Sequence, residues 1–445
     1  MLRTAFVRLL RPVLHAFFSS VETEGAERLP ADASIVFALN HPNGLIDPLV
    51  LMCVAPRPVS FLAKEPLFRI PLLGRLLHAF DVMPVYRTMD NADTRQNVAT
   101  FERARAILGR GGAIGIFPEG TTHGDPSLRP LKTGAARIAL GAAADGSGRV
   151  TVVPAGLYYT NKGMFRSKVL LVYGAPIPVP CVEMEGEPPR EAVQALSQQV
   201  REGLEAVTLN AEDAAAVEQA ARGNRVLCEP DDTPGALMRE FTLRRLFVAG
   251  KARLRALDPA RLTALAQRAA GYEADAKACG VPAELVGMTP TALEQRRGNT
   301  LAMALLALPA ALGTVLNWPL YRFIGFVCDG LLAPRDGTVV STVKLGISLV
   351  GYPLLWLAAG AAATKMAGVK EGLAVLLACP ACGWSAVIFQ ERLARLREGG
   401  ALEKVRQRNS SGYARLCEER DAIRDQIKAA GELTGVTPPS GPVPS

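Results

Sequence analysis

Histidine is scarce in this chain, with four in 445 residues, so a general base working near neutral pH has few candidates. Charged residues are also few, 21% against 49% hydrophobic, and the mean hydropathy is +0.17. That balance excludes intrinsic disorder and is greasy for a freely soluble enzyme. The single C-x-x-C, Cys379 with Cys382 in LLACPACGW, has no second pair, which argues against structural zinc. The eight cysteines fall mostly in apolar stretches (Cys53, Cys228, Cys328, Cys379), the pattern of reduced, buried thiols and not of a secreted disulfide framework. No internal repeat is present. A length of 445 residues favours two or three structural units. The excess of 50 Lys+Arg over 42 Asp+Glu is +8, which suits anionic lipid or phosphorylated substrates as well as nucleic acid.

The opening MLRTAFVRLLRPVLHAFFSS places apolar residues at helical spacing, with Arg8 and Arg11 breaking the uninterrupted core of a signal peptide. Residues 1–20 are therefore expected to form an amphipathic interfacial helix. Over 21–205, short β-branched runs (SIVFAL, VSFLA, GAIGIF, VTVVPAGLYY, VLLVYG) alternate with helical stretches, predicting an α/β domain with a sheet covered by helices. Residues 206–299 read as a helical connector. Composition then changes abruptly: 300–320, 345–364 and 373–390 are uncharged runs near the length that crosses a bilayer. Basic residues flank the whole block at Arg296, Arg297, Arg392, Arg395 and Arg397, so both ends should be cytoplasmic and the number of crossings even. The first run holds Pro309 and ends Asn-Trp-Pro; it is expected to be re-entrant or interfacial, with 345–364 and 373–390 as a spanning hairpin. Residues 391–431 read as a charged helix and 432–445 as a disordered tail.

Two clusters carry chemistry. The strand-like SIVFALN delivers His41 to a turn in which Asn43-Gly44 can take positive φ and Asp47-Pro48 opens a helix. Asp47 is either a helix cap or the carboxylate that orients His41 as a general base toward a substrate hydroxyl. The second cluster, Phe117-Pro118-Glu119-Gly120-Thr121, follows the strand GAIGIF and suits an anionic group.

Taken in order across residues 20–205, these blocks resemble the glycerophospholipid acyltransferases, the family of glycerol-3-phosphate and lysophosphatidic acid acyltransferases. His41 and Asp47 match the first block, DVMPVYR with Arg87 the second, FPEGTTH the third and VVPAGLYY with Pro154 the fourth. AKEPLFRIPLLGRLL and LKTGAARIAL, with Lys132, stand where family members carry similar stretches. Five residues separate His41 from Asp47 where the family usually has four, and Thr122-His123 replaces the usual Arg-Ser. Both features, with the apolar C-terminal extension, are similar to the branch of fungal glycerol-3-phosphate/dihydroxyacetone-phosphate acyltransferases. The longer spacer fits if the motif is a loop, since on a helix it would rotate the partner by about 100°.

The resemblance implies transfer of a fatty acyl group from acyl-CoA or acyl-carrier protein, as co-substrate, to the hydroxyl of glycerol-3-phosphate or 1-acylglycerol-3-phosphate in phospholipid biosynthesis. It implies no metal, cofactor or nucleic acid, a membrane-lipid partner, and a catalytic domain on the cytoplasmic face. His41 would be the base and Asp47 its orienter, with Arg87, Glu119, Gly120, Thr121, Lys132 and Pro154 about the substrate. Another acceptor (dihydroxyacetone phosphate, a lysophospholipid, an aminolipid) and an inactive lipid-binding scaffold are the alternatives. His123 is expected to secure a loop and His78 to lie in a core.

Overall fold

The computed structural model describes residues 2–146, 148–184, 186–231, 233–331 and 338–436. The chain divides into two compact units, Met1–Asn210 with Arg335–Thr342, and Ala211–Pro334 with Val343–Ser445.

The first unit is α/β. Its strands are β1 (Ser20–Glu24), β2 (Ser34–Leu39), β3 (Val59–Lys64), β4 (Met83–Val85), β5 (Ala113–Ile116), β6 (Val150–Tyr159), β7 (Lys168–Tyr173) and β8 (Ile177–Pro178). They form one sheet in the order β1-β7-β6-β2-β5-β3-β4, with β8 also paired to β6. All pairings are parallel except those of β6 with β7 and β8. Strands buried on both faces need apolar residues at every position, which is why SIVFAL and VTVVPAGLYY show no alternation. The helices are α1 (Leu2–Phe17), α2 (Ile46–Val54), α3 (Pro71–Ala79), α4 (Asn97–Leu108), α5 (Gly134–Ala144) and α6 (Arg190–Val207). On α6 the stripe Val193, Leu196, Val200, Leu204 and Val207 is buried. A Cβ on Gly156 of β6 would stand 1.8 Å from the Val207 carbonyl oxygen, so the end of α6 meets the sheet only because that position has no side chain.

The N-terminal helix differs from the interfacial expectation. Leu10, Leu14 and Phe17 of its apolar stripe are buried in the domain, and Arg11 donates from Nε to the Cys53 carbonyl at 3.0 Å. Covered by protein, that stripe is not available to lipid; Leu9 is left exposed.

The second unit is helical: α7 (Ala214–Leu227), α8 (Ala236–Leu257), α9 (Pro259–Ala278), α10 (Pro290–Arg297), α11 (Thr300–Phe326), α12 (Val340–Ala367, its first turn counted with the first unit), α13 (Val369–Arg408) and α14 (Ser410–Thr434). Side chains of Asp213, Asp258, Thr289 and Asn409 cap α7, α9, α10 and α14 by accepting a backbone N–H. Residues 206–299 are more than a connector. Val226, Tyr272, Leu285 and Leu293 share one core with Leu402 of α13 and Leu416 and Ile423 of α14. The charges of α14 have a structural use: buried Arg420 donates to the Val226 and Val286 carbonyls, and Arg424 donates to the Val226 and Leu227 carbonyls at 2.9 Å. These arginines satisfy the orphan carbonyls at the end of α7.

Three helices, α11 (within Pro290–Gly330), α12 and α13, are long and apolar enough to cross a membrane. The break expected in 300–320 is absent, because Pro309 and Pro319 lie inside the continuous helix Thr300–Phe326. Proline is tolerated there when neighbouring helices restore the backbone. The close neighbour is α13: a Cβ on Gly313 would stand 2.0 Å from the Cys382 carbonyl oxygen, so Cys382 belongs to a helix contact. Asn317 accepts from Trp356 Nε1 at 3.0 Å, a polar tie between α11 and α12. The charged helix expected at 391–431 is instead the end of α13 followed by α14, with a break at Asn409. Most of the expected tail, from 437 onward, lies outside the described residues.

Candidate active site

Parallel strands gather polar groups at their carboxyl ends, where loops leave the sheet. Here β2 and β5 lie side by side, Ala38 against Ile116, so the loops that begin at Asn40 and Phe117 leave together. Asn40 is locked first, donating to the Leu157 carbonyl (3.1 Å) and accepting the Leu157 N–H (2.7 Å) on β6. His41 follows, its ring stacked on Phe117 with centroids 4.0 Å apart and planes at 21°.

Asp47 is fully buried and sits in the first turn of α2. It does not cap that helix; Leu45 holds the N-cap position, and the Asp47 carboxylate turns back into the loop. His41 Nδ1 lies 2.8 Å from Oδ2, which also accepts the Asn43 N–H at 2.7 Å. Tyr159 donates its hydroxyl to Oδ1 at 2.7 Å. The five-residue spacer is absorbed as a wide turn closed by Ile46 N–H on the Asn43 carbonyl, with Gly44 at φ 45°. A Cβ on Gly44 would press to 3.0 Å on the Thr338 carbonyl and on Thr342 Oγ1; the same Oγ1 accepts the Leu45 N–H. Because an ionised carboxylate can only accept, Nδ1 carries the proton toward it, and the neutral form of this ring is the tautomer with its lone pair on Nε2.

Glu119 is buried and meets donors, not anions. Its Oε1 accepts the His41 N–H at 3.2 Å; Oε2 accepts the Arg129 N–H at 2.8 Å and faces His123 Nε2. His123 Nδ1 accepts the Asp125 N–H, so Nε2 bears its proton, and the His123 N–H reaches the His41 carbonyl at 3.3 Å. The second histidine and carboxylate thus brace the backbone of the first pair. The expected phosphate contact through Glu119 and Gly120 is corrected accordingly. Glu119 is a buried acceptor, and the Gly120 N–H is occupied by the Phe117 carbonyl.

Arg87 is likewise engaged. It grips Asp90 through Nε (2.6 Å) and Nη2 (2.9 Å) and holds the Gly120 carbonyl through Nη1 (2.8 Å). Those bonds hold the Asp90 carboxyl below its usual range, and Lys64 nearby adds to the effect. Lys132 is exposed beside the Gly120 turn, its backbone N–H on the Pro118 carbonyl at 2.6 Å. Among the described residues, the Thr121 hydroxyl makes a local contact with the Thr122 carbonyl. Pro154 lies within β6, opposite Ala38, with its ring toward Gly203 of α6, and is a packing residue.

Sequence reasoning missed Tyr159 and Lys162. The first had a signal: a tyrosine ending a fully buried strand needs a partner for its hydroxyl. Burial and the Asp47 charge push that phenol well above its ordinary range, so it stays a donor. Lys162 had none. It is a loop residue near Asp47, Asp125 and Glu119, and burial lowers its ammonium.

The Acyltransferase family model matches residues 20–158, a span that contains both histidine–carboxylate pairs and all of β6 but its last residue. Glycerol-3-phosphate O-acyltransferase 2 of Saccharomyces cerevisiae is 45% identical over 125 residues, 27% of this chain and 17% of that protein. A 1-acyl-sn-glycerol-3-phosphate acyltransferase of Borreliella burgdorferi is 31% identical over 137 residues, 31% of this chain and 50% of that protein. Residues 20–158 are thus an acyltransferase domain similar to those of the glycerophospholipid acyltransferases. The chain spans half or less of the length of these relatives. The crystal structure of the 1-acyl-sn-glycerophosphate acyltransferase of Thermotoga maritima aligns with 45% of this chain and 80% of its own at a TM-score of 0.33 and 22% identity.

Tyr159, one residue past the matched span 20–158, holds the Asp47 carboxylate by its hydroxyl. Tyr159→Phe removes one hydrogen bond to a buried carboxylate, a contribution of about 1.5–3 kcal/mol. Steady-state kinetics should show kcat lowered at least about tenfold with KM little changed. An unaltered kcat would remove Tyr159 from the site.

Proposed function

We propose that this chain transfers a fatty acyl group from acyl-CoA or acyl-carrier protein to a hydroxyl of glycerol-3-phosphate or 1-acylglycerol-3-phosphate. The observation that carries the reading is the His41 Nδ1–Asp47 Oδ2 contact of 2.8 Å at the mouth of the parallel strands. In the reaction, Nε2 takes the proton of the acceptor hydroxyl as its oxygen attacks the thioester carbonyl. Asp47 balances the imidazolium. The tetrahedral adduct expels the thiolate, and His41 returns the proton to sulfur, so the products are an ester and a free thiol. Because the nucleophile belongs to the acceptor, the protein needs no serine or cysteine of its own. Arg87, held by Asp90, fixes the Gly120 turn, and exposed Lys132 beside that turn is the cation we assign to the acceptor phosphate.

Purified protein given labelled acyl-CoA or acyl-carrier protein against a panel of phosphorylated acceptors should esterify glycerol-3-phosphate or its 1-acyl derivative. Transfer only to unphosphorylated acceptors, or none at all, would overturn this assignment.

The apolar helices would anchor the enzyme, with the α/β unit on the cytoplasmic face. Cys181, exposed on that unit, supplies the check. A membrane-impermeant maleimide should label it in inverted vesicles and not in intact cells. Labelling of intact cells would place the domain on the opposite side.

A further inference from the structure

A distant stretch of the sequence reaches the turn between His41 and Asp47. Two donors of that turn are used within it, the Asn43 N–H by Asp47 and the Ile46 N–H by the Asn43 carbonyl. The Leu45 N–H finds its acceptor outside, at Thr342 Oγ1, 297 residues on and 3.1 Å away. Leu45 is the N-cap of α2 and Asp47 lies in the first turn of that helix, so holding Leu45 fixes where the helix starts and where its carboxylate stands.

Two neighbours of Thr342 add to the grip. Ser341 is fully buried and donates its hydroxyl to the Lys162 carbonyl, the same oxygen that accepts from Asn43 Nδ2 at 3.2 Å. The Thr338 carbonyl stands beside Thr342 Oγ1 where a Cβ on Gly44 would press. Positions 338, 341 and 342 are spaced i, i+3, i+4, which sets all three on one side of the turn that opens α12. Serine and threonine at a helix start ordinarily cap that helix. Here both hydroxyls bond to loops of the α/β unit. Residues 338–342 are part of that compact unit, although the match to the Acyltransferase model ends at 158. Three residues beyond Thr342, the uncharged run 345–364 of α12 begins.

We propose that Ser341 and Thr342 are positioning residues of the active site, holding the backbone from Asn43 to Leu45 and, through it, the Asp47 carboxylate against His41. Their effect on turnover rests on the acyl-transfer reading above; their hold on the turn does not.

The test uses the full-length protein in phosphatidylcholine nanodiscs, with steady-state kinetics on a long-chain acyl-CoA and, in turn, glycerol-3-phosphate and its 1-acyl derivative. Hydrogen–deuterium exchange of the peptide covering residues 42–47 is followed in parallel. Thr342→Val keeps the side-chain shape and removes the acceptor; Ser341→Ala removes the buried donor. Each should lower kcat at least about threefold, and the double variant at least about tenfold, with KM for either substrate changed less than about twofold. Exchange in 42–47 should quicken in both while thermal melting stays put, and Thr342→Ser, which keeps the oxygen, should restore kcat and protection together. A double variant with wild-type kcat, or with unchanged exchange in 42–47, would overturn the proposal. So would a raised KM at constant kcat, which would make these residues substrate contacts. If wild type acylates no acceptor while exchange still quickens in the variants, the reaction falls and the hold on the turn stands.

Discussion

His41→Ala should lower kcat for acyl transfer by about 10³-fold, within the 10²–10⁴ range for removing a general base, while circular dichroism and thermal melting stay unchanged. The imidazole is stacked on Phe117 and partly open to solvent, so its loss opens little core. Asp47→Asn is the sharper variant. The amide oxygen can still accept from Asn43 and His41, and Tyr159 can turn its hydroxyl to accept, so the loop keeps its shape. What disappears is the negative charge that balances the imidazolium as it forms. A loss of about 10²–10⁴-fold in kcat with little change in KM is expected. Undiminished transfer by either purified variant would reject the pair as the proton-handling group.

The second large effect is on stability. Glu119→Ala leaves the His41 N–H, the Arg129 N–H and the ring N–H of His123 without their acceptor in a buried site. At about 1–3 kcal/mol for each of three stranded donors, the loss is on the order of 3–9 kcal/mol, a large part of the 5–15 kcal/mol that holds a typical domain. Chemical denaturation of the full chain should show the midpoint falling in Glu119→Ala. Glu119→Gln should recover part of it, since one oxygen still accepts. An unchanged midpoint with lost activity would mean that Glu119 meets substrate after all.

Much of this arrangement was legible before any coordinates. The alternation of apolar runs and helices gave the α/β class, and His41 and Asp47 could be paired because a turn containing Asn-Gly can absorb an extra residue. The role of Glu119 was not legible, since an acidic residue after a strand looks the same whether its carboxylate faces a ligand or folds back onto backbone donors. The bonds that Arg87 makes within the protein were hidden for a related reason. Asp90, three residues on, takes two of its donors, and a sequence does not tell whether an arginine's partner is already beside it. In the apolar region the reading cut helices where composition changed. Backbone hydrogen bonding follows no such boundary, so α11 runs through two prolines and α13 passes from uncharged to charged residues without interruption.

That last helix has a mechanical consequence. Forty residues at 1.5 Å each make a rod about 60 Å long, of which a bilayer core would cover roughly half. The remainder would then extend about 30 Å past the hydrocarbon edge, and it ends in the core that Leu402 shares with Leu416 and Ile423. If the lipids around it thin or thicken and the rod leans by about 10°, its far tip swings by about 5 Å. The bundle at that tip would then register the thickness of the bilayer as a displacement.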